Sequence, residues 1–479
     1  MNKWGFIGSA YAPDSPNVAA QRCVNLYPET VDVGGEKNVV SLRTIPGLSV
    51  FTTLADTPVR ALFSMDGLVV AVAGTSVYTL STLGESVLIG TVASNTSQAS
   101  VHYNGDGGLQ LFVVSGGKRY IYDTETTAFA IVQFVGGTTD VPVTFGAYLN
   151  GFFFALDTDT STVYASKEYD GTSWTASHYT QRSLAADQWL SMFVNPPDVW
   201  LFGSLTTEAW RFTGASPFPL EPIGGAAIQT GILAPHSVCA FANGIAWLGT
   251  KAGGARQVYL AMGYQEPMVI STNALDQAIG SYTSVSDAVA YLEQHDGHEF
   301  YVITFPIAGH TWAFDASTKQ WHERGWWNQP AMQYDAYRPG THCAAFGKHL
   351  LGDRLSGTIW QHTDTVHLDA DGVPLRWLRQ CPHIADQGRK MRHGPFTLDA
   401  ETGVNTSALV GREPQLMLDW SDDSGHTFNH ERWVSMGATS AFRTRCVWNR
   451  LGSSRDRIYR LSGADPVRIR LVDANLEVA

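Results

Sequence analysis

Four stretches of this 479-residue sequence bring together side chains whose types and spacing could do chemistry or hold a ligand. The first, Ser421-Asp422-Asp423-Ser424-Gly425-His426-Thr427-Phe428, follows the Asp-box pattern S-x-D-x-G-x-T-W with Phe in the last place. In such a hairpin turn the Asp carboxylate accepts backbone N–H groups, Gly supplies the tight geometry and the aromatic packs inward. That is structural chemistry, not catalysis. The second, His295-x-x-His298 beside Asp296, has the residue types of a metal pair. It falls on an expected hairpin turn, where polar side chains gather for solvation, and no metal is expected. The third, Trp321-His322-Glu323-Arg324-Gly325-Trp326-Trp327, is aromatic enough for sugar stacking. Enrichment of aromatics and Arg at interfaces favours a subunit contact or blade edge instead. The fourth runs from Arg443 to Arg457 and alternates charged with apolar residues. On a strand this alternation puts Arg443 and Arg445 on one face, a basic surface for an acidic partner such as a neighbouring subunit. The candidate partner contacts are therefore Arg443, Arg445, Arg450, Arg455, Arg457, Trp321, Trp326 and Trp327.

Signatures of catalysis are missing. The sequence has no GxSxG, no P-loop, no HExxH and no GxGxxG after a strand. A sialidase, the setting in which Asp-boxes are familiar, would need an arginine cluster and a Tyr nucleophile, and no such set stands out. No catalytic residue and no cofactor are expected, and the chain reads as a non-enzyme.

These stretches must be positioned by strands. Residues 1–375 carry 17 Lys+Arg against 32 Asp+Glu, a net −15, and residues 376–479 carry 15 against 12, a net +3. The whole chain is at −12, which does not favour binding to DNA or anionic lipid through net charge. The change of sign marks a domain boundary near residue 370. Five cysteines with no CxxC argue against a disulfide framework and suit a reducing cytoplasm. The first residues lack a sustained apolar core and the longest apolar stretches are short, so neither a signal peptide nor a membrane anchor is expected.

A unit of strand, turn, strand, turn, strand recurs seven times. Its second strands begin near Leu68, Leu109, Phe152, Val199, Ile245, Glu299 and His349, at steps of 41, 43, 47, 46, 54 and 50 residues. Asn-Gly or Asp-Gly sits at the first turn in five copies, where a two-residue hairpin needs positive φ. This is the period of a β-propeller of four-stranded blades. About seven blades are expected, with six or eight allowed if the ends share strands to close the ring. In the sixth copy an Asp-led turn after Phe314-Asp315 leads to a Trp-bearing fourth strand at Trp321. Asn273–Ile279 reads as a short helix. Beyond residue 370 the period stops, and strands at Gln415–Trp420, Trp433–Gly437, Thr444–Trp448, Arg457–Leu461 and Val467–Val472 suggest a β-sandwich. The expected layout is an all-β chain with an N-terminal arm over 1–55, a propeller over 56–368 and a C-terminal β domain over 369–479.

Arg22-Cys23-Val24-Asn25-Leu26-Tyr27-Pro28-Glu29, followed by Pro46-Gly47-Leu48, resembles the opening of the packaged-DNA stabilisation proteins of short-tailed bacteriophages. The Asp-box-like segment, Glu431-Arg432-Trp433, Trp448-Asn449-Arg450-Leu451-Gly452 and Asp456-Arg457 resemble their ending. The resemblance implies a virion protein assembled in the host cytoplasm. It implies a homo-oligomer, a hexameric ring that forms the tail hub or nozzle below the portal and head–tail adaptor. Such a ring extends the DNA channel, retains packaged DNA, and anchors a tail plug or needle and tailspikes. DNA would pass through its lumen without sequence-specific binding, and an acidic wall would let it slide. The alternative is a glycan-binding or glycan-cleaving propeller acting in host recognition, marked by a central pocket with paired carboxylates and stacked Trp.

Overall fold

A computed structural model describes residues 5–13, 15–30, 40–93, 96–134, 141–182, 186–404, 409 and 412–479. The described strands form eight sheets; six are propeller blades, a seventh contains a blade and one sheet of a sandwich, and the eighth is the second sandwich sheet. Blade 1 is an antiparallel meander of Val59–Met65, Leu68–Ala73, Ser76–Leu80 and Ser86–Thr91. Blades 2, 3 and 4 repeat it from Ser100–Tyr103, Phe145–Leu149 and Trp189–Asn195 outward. Blade 5 has a broken first strand, with Gly231–Ile232 and Cys239–Phe241 both paired to Gly244–Thr250. Blade 6 runs from Val289–His295 to Gln320–Asn328 and blade 7 starts at Pro339–Ala345. Each blade packs on the next, and the first strand of blade 7 packs on that of blade 1, so the ring is closed.

Blade 7 lacks a fourth strand of its own. Gly47–Thr53 supplies it, pairing antiparallel with Thr358–Thr363. The segment read as an arm is thus woven into the body. Arg22–Val24 pairs in parallel with the outermost strand of blade 6 (Val24 opposite Glu323) and antiparallel with Trp377–Gln380. Blade 6 thereby continues into the first sheet of a C-terminal sandwich, through Asp456–Gly463, Gln415–Ser421 and Asn429–Ser435. The hairpin Leu26–Thr30 and Val40–Thr44 joins the second sheet, with Arg470–Val478, Met391–Ala400 and Cys446–Trp448. One hydrophobic cluster runs without a break from Phe241 and Phe314 in the propeller to Phe396, Leu418, Tyr459 and Leu471 in the sandwich.

Turn chemistry explains the regularity. Asp66-Gly67, Asn150-Gly151 and Asp296-Gly297 all take positive φ at the first turn of their blades, as expected. In blade 5 the turn slips by one residue. Ala242 and Asn243 hold the positive φ, while Gly244 lies in the strand. A Cβ on Gly244 would sit 2.2 Å from the carbonyl oxygen of Ala261, so this glycine serves a close strand approach and not the turn. Asp-led turns recur at later positions. The carboxylates of Asp123, Asp157, Asp315 and Asp353 each accept the backbone N–H two residues on, at 2.8–3.0 Å. The helix spans Asn273–Ser281 and is capped by Thr272, whose hydroxyl accepts from Leu275 N–H.

The wall between blades 6 and 7 holds a buried ion pair. Arg324 donates to both carboxylate oxygens of Glu293 at 2.7 and 3.3 Å, and neither side chain is exposed. Burial alone would raise the Glu293 pKa, but Arg324 and His362 outweigh it and hold the carboxyl well below its usual range. Asp369, in the link to the sandwich, is the opposite case. It is 2% exposed, and burial pushes its pKa up from 3.8 to about 7 against a hydrogen bond from Ala370 N–H. Below the ordinary carboxylate range both folded and unfolded chains keep this proton. Between there and about pH 7 only the unfolded chain ionises, so this residue costs stability as pH rises. Asp369→Asn keeps the acceptor and removes the penalty. Its melting temperature is expected to exceed that of the parent by a few degrees at pH 8 and to match it at pH 4. Equal melting at both pH values would contradict this account.

Candidate interaction surfaces

The propeller axis holds a cavity of about 510 Å³ lined by the inner strands of six blades and, from blade 5, by the Pro235, His236 and Val238 connection. Among the described residues, none of those lining it is Asp, Glu, Lys or Arg. Its histidines, His102, His236 and His342, are each pushed down to about 4 by burial and stay neutral at pH 7. The axis therefore offers no pair of carboxylates for glycoside cleavage. His295 and His298 turn to separate partners. The Nδ1 atom of His295 lies 3.0 Å from Glu293 and that of His298 lies 2.8 Å from Asp315. Among the described residues no three His, Cys, Asp or Glu gather to hold a metal.

The Asp-box is a hairpin turn, as read. Asp423 accepts from Ser421 Oγ at 2.6 Å, from Thr427 N–H at 2.8 Å and from Thr427 Oγ1 at 2.6 Å. Those bonds hold its carboxyl far below the usual range. Phe428 does not pack inward as expected. It is half-buried, with the Arg460 guanidinium 4.0 Å from its ring centre.

The tryptophans separate. Trp321 is core, 2% exposed, with its indole donating to the carbonyl of Ile270 at 2.7 Å. It is not available to a partner. Trp326 is half-buried beneath Arg338. Trp327 borders a cleft of about 670 Å³ between blade 6 and the sandwich, but Arg376 covers its ring at 3.8 Å.

The arginines separate too. Arg443, Arg445, Arg450 and Arg455 are exposed. Arg457 is 2% exposed and is used up internally. It grips Asp422 with two bonds of 2.6 and 2.8 Å and lies over the Trp420 ring. Arg443 stands in a turn, because the strand begins only at Cys446, so Arg443 and Arg445 do not share a strand face. Phe442 and Trp433, 72% and 58% exposed, are the large apolar side chains of this end.

Two polar side chains that were not singled out hold the parts together. Asn25 is fully buried at a φ of 55°, a conformation Asn tolerates better than most residues. Its amide donates to the carbonyls of Gly325 and Arg376, both at 2.8 Å, and its oxygen accepts from Gly325 N–H at 2.9 Å. One carboxamide thus ties the N-terminal segment to blade 6 and to the start of the sandwich. Arg379 is also fully buried and donates to the carbonyls of Phe6, Ser9, Arg22 and Gly5. A charged residue inside Trp377-Leu378-Arg379-Gln380-Cys381 was the only sequence signal for it.

Charge is uneven around the disc. Antiparallel strands put the first and third turns of every blade at the same end. At that end of blades 1–3 stand the exposed carboxylates Asp66, Glu85, Asp106, Glu125 and Glu168, with Lys167 beside them.

Comparison with known proteins supports the two-part architecture. Residues 8–367 match the family described as bacteriophage P22 Gp10, beta-propeller, and residues 376–479 match bacteriophage P22 Gp10, beta-sandwich. No curated protein matches the chain. Among solved structures, the N-terminal domain of Nup159 is similar at 11% identity and a TM-score of 0.41, over 69% of this chain and 97% of that one. Virginiamycin B lyase from Staphylococcus aureus is similar at 8% identity and a TM-score of 0.44, over 71% and 98%. The designed Ika8 protein is similar at 13% identity and a TM-score of 0.40, over 72% and 99%.

Asn25→Ala leaves buried donors and acceptors of blade 6 and the sandwich unpaired. A loss of about 3–5 kcal/mol in unfolding free energy is expected from denaturant titration. Arg379→Lys keeps the charge but not the fork of donors, so protease cleavage within residues 5–21 should quicken. Unchanged cleavage would mean that Arg379 does not hold this segment.

Proposed function

The chain belongs to the bacteriophage P22 Gp10 family, a structural phage protein of the virion, and from that premise we propose that it is the tail hub or nozzle subunit. In this reading copies form a hexameric ring beneath the portal and head–tail adaptor. The ring extends the DNA channel, retains the packaged genome and anchors a tail plug or needle and the tailspikes. The observation that carries the reading is the lacing of propeller and sandwich into one body by residues 22–30 and 40–53, through Asn25 and Arg379. A ring under pressure from packaged DNA needs subunits that do not hinge, and a continuous core with shared sheets supplies that. The net −15 of residues 1–375 fits a channel wall that repels phosphate and lets DNA slide.

The glycan reading gains little support. Among the described residues lining the propeller axis there is no carboxylate, and Trp327, a candidate aromatic at a cleft, already has Arg376 against its ring. The test is electron cryo-microscopy of virions from the source phage, alongside particles assembled without this protein. Six copies in a ring below the portal, with the protein-free particles losing their DNA, is the expected result. Density at fibre tips, or stable DNA-filled particles without the protein, would overturn it.

A further inference from the structure

The sandwich carries a cavity of about 790 Å³ that no propeller residue lines. Its walls are the start of the strand Met391–Ala400 and the loop before Ser453–Ser454. Lys390, Arg392 and Arg450 stand exposed at its rim, and among the described residues lining it there is no Asp or Glu, while Ala479 closes one side with its N–H and carbonyl paired to the backbone of Arg392. Arg455 stands nearby, bonded to the carbonyl of Gly388. Three cations at one concavity repel each other, and such an arrangement favours a bound anion.

A second observation points the same way. His393 also lines the cavity and is 3% exposed. Its Nε2 pairs with Ser454 Oγ at 2.8 Å, but its buried Nδ1 has no hydrogen-bond partner within the described chain. A buried polar atom left without a partner has hydrogen-bonding capacity that a group from outside the chain, an ordered water included, can take up.

Duplex DNA does not suit this cavity. A polyanion needs a track of cations, and the −12 body around this single concavity opposes one. A short carboxylate-bearing turn needs only the concavity. The chain itself carries such turns on blades 1–3, across the disc from blade 6, where the sandwich is attached. Two complementary patches on different sides of one subunit are what a head-to-tail ring contact requires.

We propose that this cavity is an acceptor for carboxylates, and that its occupant is the acidic turn sector of blades 1–3 on a second copy of the chain. The contact takes its biological setting from the ring reading above. Arg392 and Arg450 grip the carboxylates of turns such as those bearing Asp106 and Glu125, and the incoming group partners His393.

Sedimentation velocity of the full chain at low and high ionic strength tests this. Self-association that weakens with salt is expected. The double variant Arg392→Glu/Arg450→Glu should associate at least ~10-fold more weakly, and Asp106→Lys/Glu125→Lys likewise, each with an unchanged circular dichroism spectrum. Mixing the two variants should restore association, because one reversed pocket then meets one reversed sector. A chain that stays monomeric, or association indifferent to both reversals, would overturn the proposal. So would duplex DNA that binds the parent and not Arg392→Glu/Arg450→Glu. A monomeric chain that still forms rings in virions sinks this contact and spares the hub reading. Salt-sensitive association of a protein absent from virions does the reverse.

Discussion

A single buried carboxamide sits where three parts of the molecule meet. Asn25 spends its side-chain hydrogen bonds on Gly325 and Arg376, which are 300 and 351 residues away. Burying an amide costs free energy unless every donor and acceptor is matched, and here the matching groups come from blade 6 and the first residues of the sandwich. Around it Arg22 pairs with Glu323, and Arg379 collects carbonyls from residues 5–22. The apolar core could form in more than one register. These directional bonds hold it to one. Together with the strand pairing of Arg22–Val24 they join the units, and they account for Arg22 and Asn25 within the segment Arg22–Glu29.

Much of the propeller was legible because its signals are local. The strands Val59–Met65, Leu68–Ala73 and Ser76–Leu80 fall where alternation and the Asp66-Gly67 turn put them. The resemblance seen in the two ends of the chain agrees with the family it belongs to, and its propeller-plus-sandwich architecture is the one expected. What stayed hidden depends on partners far away in sequence. Nothing in Gly47–Thr53 says that Thr358–Thr363 lies beside it. Nothing in the run Arg443–Arg457 separates Arg457, which has Asp422 to itself, from Arg455, which faces solvent. Trp321 reads like its neighbours Trp326 and Trp327, yet it alone is buried within the core. The Gly244 slip has the same origin, since only the approach of Ala261 distinguishes a turn glycine from a strand glycine.

The charge pattern gains meaning only once the strands are placed. In sequence the acidic residues of the first 375 are spread along the chain. In three dimensions several sit on turns at one end of three adjacent blades, while Lys390, Arg392 and Arg450 of the last hundred or so residues border one concavity. Separating the signs across a rigid body makes the subunit polar, and polar subunits favour one orientation of approach over the others.

The strand that closes the ring also sets a timetable. Gly47–Thr53 leaves the ribosome about 300 residues ahead of Thr358–Thr363, its partner. At bacterial translation speeds that interval is roughly 15–60 s. Throughout it Gly47–Thr53 is a strand without its partner, while six blades fold behind it. The ring is therefore a late product of synthesis. In a cell making many copies at once, each unfinished chain offers its loose strand to every other, and the yield of sound subunits becomes a race between closing on itself and being captured by a neighbour.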